Sequence, residues 1–212
     1  IGTLNKNTIP SMFLAGKKAN ELGHIVLLDP VGAGASRLRT DTANRLMQEV
    51  RFDAVRGNIS EIKTLCTGSG STKGVDADAV DAVTEANLDD GVQLVKTFAQ
   101  RAGCIVAVTG AIDLVSDGER CWCIRNGRAE MSRITGTGCQ LSALMTAFLV
   151  ANPDHKLAAA AAAVCMMGLA GEIGWANMQP GDGNSTYRNR IIDAIFNMTG
   201  DALEKGAKYE LR

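Results

Sequence analysis

Over residues 10–23, Met12, Phe13, Ala15, Ala19 and Leu22 recur at helical spacing, and the run stops at Gly23, which predicts a helix ended by that glycine. The pattern then changes. "HIVLLD" (24–29) is apolar without alternation, as suits a strand covered on both faces. It gives way to "DPVGAGASR" (29–37), where proline and glycine exclude regular structure and let a ligand approach the backbone. A helix over 40–50, a short strand in "DAVRGN" (53–58) and a helix opened by Ser60 follow, and then "GSGSTKGVDADAV" (68–80), a polar loop whose aspartates can cap the next turn. A helix over 88–102 precedes a second buried strand, "CIVAVTG" (104–110). "AIDLVSDGERCWCIRNG" (111–127) alternates apolar and polar residues around Asp117-Gly118, a hairpin signal. Three helices, over 138–151, 156–178 and 185–205, close the chain.

Strand, loop and helix in this alternation predict an α/β fold, a three-layer α/β/α sandwich with a mostly parallel central sheet and strands at 25–29, 53–56 and 104–109. In open α/β sheets ligands sit at the carboxyl ends of the strands. Three of the glycine-rich or polar motifs fall at such ends. No repeat or linker divides the 212 residues, so they read as one domain.

Charge and composition narrow the partner. Lys and Arg total 22 against 23 Asp and Glu, no basic run appears, and aromatic residues make up only 4%, which argues against nucleic acid and an anionic membrane. The longest uncharged run, Leu157–Gly171, is too short for a bilayer and is rich in alanine and glycine, so it reads as a close-packed interior helix. Six cysteines lie mostly in apolar segments and read as reduced, as in a cytoplasmic protein; neither His24 nor His155 is placed to complete a zinc site with Cys121 and Cys123. A small molecule is the expected partner. The opening "IGTLN" reads as the end of an apolar strand, so the chain starts in mid-fold.

The chemistry gathers in "RITGTGCQLSAL" (133–144). Gly136, Thr137 and Gly138 precede a helix whose first amides lack intrahelical partners, and with the helix dipole these form an anion site. A helix start that binds nothing gives the same string. Cys139 follows at once, where a helix N-terminus favours thiolate, although a free cysteine is more often a small buried residue. Asp29 ends its strand in a glycine loop, and Asn58 and Glu61, three apart, share a face; such groups can hold Mg²⁺ and its waters, or can cap a helix and a turn.

Four strings, "LLDPVGAGASR", "VRGNISEI", "TGTGCQLSAL" and "GDGNSTYRNRIIDAIFNMT", resemble in order the signature blocks of the hydroxyethylthiazole kinases, thiamine-salvage enzymes of the ribokinase-like superfamily. The resemblance covers essentially the whole chain. It implies ATP-dependent, Mg²⁺-assisted phosphorylation of the hydroxyl of 4-methyl-5-(2-hydroxyethyl)thiazole, in a homotrimer with thiazole sites between subunits. By the same resemblance Arg56 and Thr109 contact ATP and Gly136 contacts the thiazole substrate. Asp29, Asn58 and Glu61 lie near metal and phosphates, with Asp29 and Glu61 on the metal and Asn58 on the nucleotide side. Gly136, Thr137, Gly138 and Cys139 supply the amides that stabilise the transferring phosphoryl group. Most ribokinase-like enzymes place an aspartate general base where this family, and this chain at Cys139, has cysteine. The family also carries an N-terminal segment with a His-Asn-Ile-Thr-Asn string and a thiazole-contacting methionine, so the 212 residues read as a ribokinase-like domain lacking that segment. Two alternatives stand beside the kinase: a nucleotide-binding remnant of the family, and another ribokinase-like enzyme acting on a different alcohol or as a repair hydro-lyase.

Overall fold

A computed structural model describes residues 1–67 and 82–212; the polar loop read at 68–80 lies outside the described residues. Helices α1 (Thr8–Glu21), α2 (Arg37–Glu49), α3 (Ile59–Thr67) and α4 (Leu88–Ala102) interleave with strands β1 (Leu27–Leu28), β2 (Ala54–Asn58) and β3 (Ile105–Thr109). Strands β4 (Asp113–Ser116) and β5 (Cys121–Ile124) form the expected hairpin, with Gly118 in the left-handed region at φ 100°. Then come α5 (Thr137–Ala151), α6 (Lys156–Ala176), α7 (Asn184–Asn197), α8 (Gly200–Gly206) and a closing strand, β6 (Tyr209–Leu211).

The strands lie in sequence order across one six-stranded sheet. Their side chains alternate between two cores. Val55, Val106, Val108, Leu114, Cys121 and Cys123 face α1–α4, while Ala54, Ile105, Ala107, Val115 and Ile124 face the layer of α5, α6 and α7. The three-layer α/β sandwich is thus as expected, because the central strands β2 to β5 bury both faces. The sheet, however, is mixed: β1, β2 and β3 are parallel, whereas β3–β4, β4–β5 and β5–β6 are antiparallel. The β1–β2 and β2–β3 connections each contain a crossover helix, whereas the turns after β3 and β4 are too short for one, so there the chain must return antiparallel; β6 comes back antiparallel to β5 only after α5 to α8.

Three further differences have local causes. The strand expected over 25–29 shrinks to Leu27–Leu28, with Val26 tied instead to Asp53 through its amide to Oδ2 at 3.0 Å. The helix expected over 185–205 is two helices, because Met198 is extended (ψ 125°) and the Thr199 hydroxyl caps α8 by accepting from the Ala202 amide at 3.2 Å. β6, unanticipated, pairs with β5. Among the described residues one helical stretch, Pro153–Ala176, is apolar and long enough to cross a membrane. It is 72% buried over its apolar window, and α6 within it packs on α5, α7 and the sheet.

Candidate active site

The site forms where the carboxyl ends of β2 and β3 meet the start of α5. Gly136 precedes α5 at φ 100°, a left-handed conformation that glycine adopts without strain, and a Cβ there would meet nothing within 4 Å. The amides of Thr137, Gly138 and Cys139 follow in the first turn, where no intrahelical acceptor exists, and none donates to another backbone carbonyl among the described residues. The turn expected to bind an anion is therefore open on its outer face.

Arg56 extends from β2 toward this turn. Its Nη1 donates to Asp29 Oδ2 at 2.9 Å, and the two side chains are only 11% and 12% exposed. Gly138 lies hard against the guanidinium: a Cβ there would fall 2.7 Å from Nη2. Ser142, one turn along α5, donates from Oγ to the same Asp29 Oδ2 at 2.7 Å and so ties the helix to the β1 loop. Asp29 Oδ1 and Arg56 Nε are buried with no hydrogen-bond partner. Such orphaned polar atoms are costly unless something else meets them.

Asn58 and Glu61 form a reciprocal cap. The Asn58 side chain accepts from the Glu61 amide and the Glu61 carboxylate from the Asn58 amide, each at 2.8 Å, while the other Glu61 oxygen accepts from Gly32 at 2.8 Å. The capping alternative is thus realised, and in addition the cap clamps the glycine loop after β1 to α3. Cys139 is exposed, which removes the alternative of a buried packing cysteine.

On the other side of Arg56 opens a cleft of about 500 Å³. Arg56, Thr109, Thr137 and Gly138 line it, with Gly127, Met131 and Met167 among its apolar and glycine walls. Thr109 reaches the Gly57 carbonyl through its hydroxyl at a long 3.5 Å. Asp29, Asn58, Glu61, Gly136 and Cys139 do not line this cleft. The expected site residues thus divide into two groups, with Arg56 and the turn at Gly138 between them.

Two residues of the site escaped the sequence reading. Ser142 had a signal, since it lies four residues after Gly138 and hence one helical turn above it. Asp113 had none. It reads as a hairpin polar residue, yet it lines the cleft, and burial, opposed by a bond from the Gly110 amide and by Arg56, pushes its carboxyl up to about 7.

A model of the hydroxyethylthiazole kinase family matches residues 1–201. A hydroxyethylthiazole kinase from Clostridium acetobutylicum is 52% identical over 210 residues, covering 99% of this chain and 77% of the relative. A solved hydroxyethylthiazole kinase from Pyrococcus horikoshii superposes over the whole chain and 74% of its own, with TM-score 0.84 and 30% identity. A pyridoxal kinase from Staphylococcus aureus, solved with AMP-PCP and pyridoxal, shares the fold over 99% of this chain and 70% of its own, with TM-score 0.58 and 17% identity.

Proposed function

The chain belongs to the hydroxyethylthiazole kinase family, and from that premise we infer that phosphoryl transfer runs across the turn at Gly136–Cys139, from a nucleotide in the cleft to an alcohol on the opposite side. The activity is ATP-dependent phosphorylation of the hydroxyl of hydroxyethylthiazole. The observation that carries the geometry is the position of Arg56 and Gly138, which face the cleft on one side and the Asp29 group on the other.

In this reading Arg56, Thr109 and the amides of Thr137 and Gly138 hold the phosphates, with Asn58 fixing the loop beside them. The open face at Gly136 receives the hydroxyethyl group. Cys139, exposed at the same turn, takes the proton from the attacking hydroxyl. Because phosphoryl transfer depends mainly on positioning and on charge stabilisation, a modest base suffices. The identity to named kinases favours this over a nucleotide-binding remnant or a different alcohol kinase.

The residues present fit Mg²⁺ as the nucleotide's ion rather than as a caged one. Asp29 offers a buried, unpartnered oxygen, and Glu61 keeps lone pairs beyond its amide bonds; among the described residues no group of three or more His, Cys, Asp or Glu could hold a metal by itself. Asp29 and Glu61 would hold the waters of such an ion, which would neutralise charge on the phosphates. A cytoplasmic setting fits six cysteines that are all unpaired. The resemblance supports a homotrimer, and light scattering that returns the mass of one chain would overturn it. The transfer geometry is tested by steady-state kinetics with ATP and hydroxyethylthiazole: Arg56→Ala should raise the KM for ATP at least tenfold, and an unchanged KM would place the phosphates elsewhere.

A further inference from the structure

The register that pairs Asn58 with Thr109 and Val108 with Leu114 continues to set Asp113 opposite Thr109, at the rim of the sheet above Arg56. Asp113 is partly exposed to the cleft but otherwise surrounded by protein. Its Oδ1 accepts from the Gly110 amide at 2.8 Å, and no hydrogen bond reaches Oδ2 from the described residues. The carboxyl therefore has one oxygen to present to whatever occupies the cleft.

The charges around it decide in which form it does so. From β2, Arg56 is the cation that acts on Asp113, and Arg56 is already paired with Asp29 at 2.9 Å. At the cleft wall Arg128 is bound to Glu130 at 3.1 Å. From α6 comes Cys165, a thiol that burial and the Asp113 charge push up to about 12, and which therefore stays neutral. A polyphosphate beside an ionised Asp113 would set two anions against one cation that has already been neutralised.

We propose that Asp113 meets the phosphates of bound nucleotide as a neutral carboxylic acid that donates its O–H to a phosphate oxygen, so that binding takes up one proton from solvent. The proposal rests on the cleft being the nucleotide site. Burial already favours the protonated form near neutral pH, with the carboxyl at about 7 before any anion enters, and an arriving phosphate raises it further. No bond other than the O–H is made or broken: a carboxylate and a solvent proton become the acid.

The test is calorimetric titration with ADP between pH 6 and 9, in buffers of differing ionisation enthalpy, on the parent chain, Asp113→Asn and Asp113→Ser. ADP's own phosphate titrates equally in all three, so the informative quantity is the ratio of parent to variant affinity. That ratio should be level at low pH and fall as pH rises above about 7, by at most about tenfold per pH unit, with extra proton uptake in the parent alone. A ratio that is flat throughout, with equal proton uptake, would overturn the proposal. So would a folded Asp113→Asn that binds poorly even at pH 6, since that result assigns the ionised form. Gly138→Val separates the two readings. If ADP binds that variant undiminished, or binds none of the proteins, the nucleotide is not in this cleft and the proposal goes with it; if Gly138→Val is impaired and the ratio flat, only the role of Asp113 falls.

Discussion

Single atoms set most of what this site can do. On the proposal that the exposed Cys139 takes the proton from the attacking hydroxyl, Cys139→Ser should lower kcat about tenfold to a hundredfold while leaving the KM for ATP near its parent value. Cys139→Asp should keep substantial activity, and if both variants match the parent the thiol takes no part in transfer. Gly138 matters for the space it leaves: a methyl there needs the volume that Arg56 Nη2 fills, and Arg56 cannot retreat without leaving Asp29. Gly138→Ala should therefore weaken ATP binding by about 1–2 kcal/mol, roughly five- to thirtyfold in KM, with the sheet unaffected in circular dichroism. Asp113 also has a consequence for stability. Its folded pKa of about 7 is raised from the ordinary 3.8, so between those values the folded chain holds a proton that the unfolded chain releases. Stability contributed by this group is present below pH 4 and is lost as pH rises toward 7, and each unit of displacement is worth about 1.4 kcal/mol. Denaturant unfolding of Asp113→Asn should show a shallower decline over pH 4–7 than the parent; an identical decline would mean the carboxyl is not displaced. Of these residues Cys139 and Gly138 were legible as sequence, because a glycine turn before a helix has a chemistry of its own. Asp113 was not, since burial by a distant helix leaves no mark on the hairpin that carries it.

Elements built from local rules were read closely, and those fixed by distant partners were not. The helix at Leu88–Ala102 matched its apolar periodicity and ends at Gly103 in the left-handed region, and the β4–β5 hairpin followed from Asp117-Gly118. By contrast β6 owes its place to tertiary bonds. Asn126, buried at 6% exposure, accepts from the Lys208 amide at 2.7 Å and donates to the Gly206 carbonyl at 2.9 Å and to Glu172 at 3.2 Å. Glu172 also accepts from the Gly127 amide at 2.9 Å and pairs with Lys208 at 2.7 Å. One asparagine thus fastens the end of α8, the start of β6 and the cleft wall at Asn126–Gly127 to α6. No periodicity could disclose that, because its partners lie 46 to 82 residues away. Asn126→Ala leaves the Lys208 amide and the Gly206 carbonyl unpaired, and should cost about 2–3 kcal/mol in chemical denaturation. A loss below about 0.5 kcal/mol would show that β6 is held by its pairing with β5 alone.

At the scale of the whole molecule, the sheet separates two apolar cores, and the cleft is walled from elements that belong to both sides of the chain's order: the ends of β2, β3 and β4, the 126–132 segment, and the faces of α5 and α6. The relatives are longer, with this chain spanning about three quarters of their length, yet the nucleotide side of the proposed site is assembled from residues 56–168. Nucleotide binding should therefore be separable from transfer, and visible as stabilisation of the entire fold. A ligand that binds only the folded state stabilises it by RT ln(1 + [L]/Kd), about 2.7 kcal/mol at a hundredfold excess over Kd. For a domain of this size that corresponds to a rise in Tm of about 5–10 °C. Differential scanning calorimetry of the 212-residue chain with ADP should show this shift, in one cooperative transition, because the ligand bridges strands and helices that unfold together. Gly138→Val should abolish the shift, and because its Cβ drives Arg56 off the buried Asp29 the ligand-free Tm should also fall, while the single cooperative transition is kept. A chain whose Tm ignores ADP at millimolar concentration, or rises equally in Gly138→Val, would show that the cleft beside Arg56 does not hold the nucleotide.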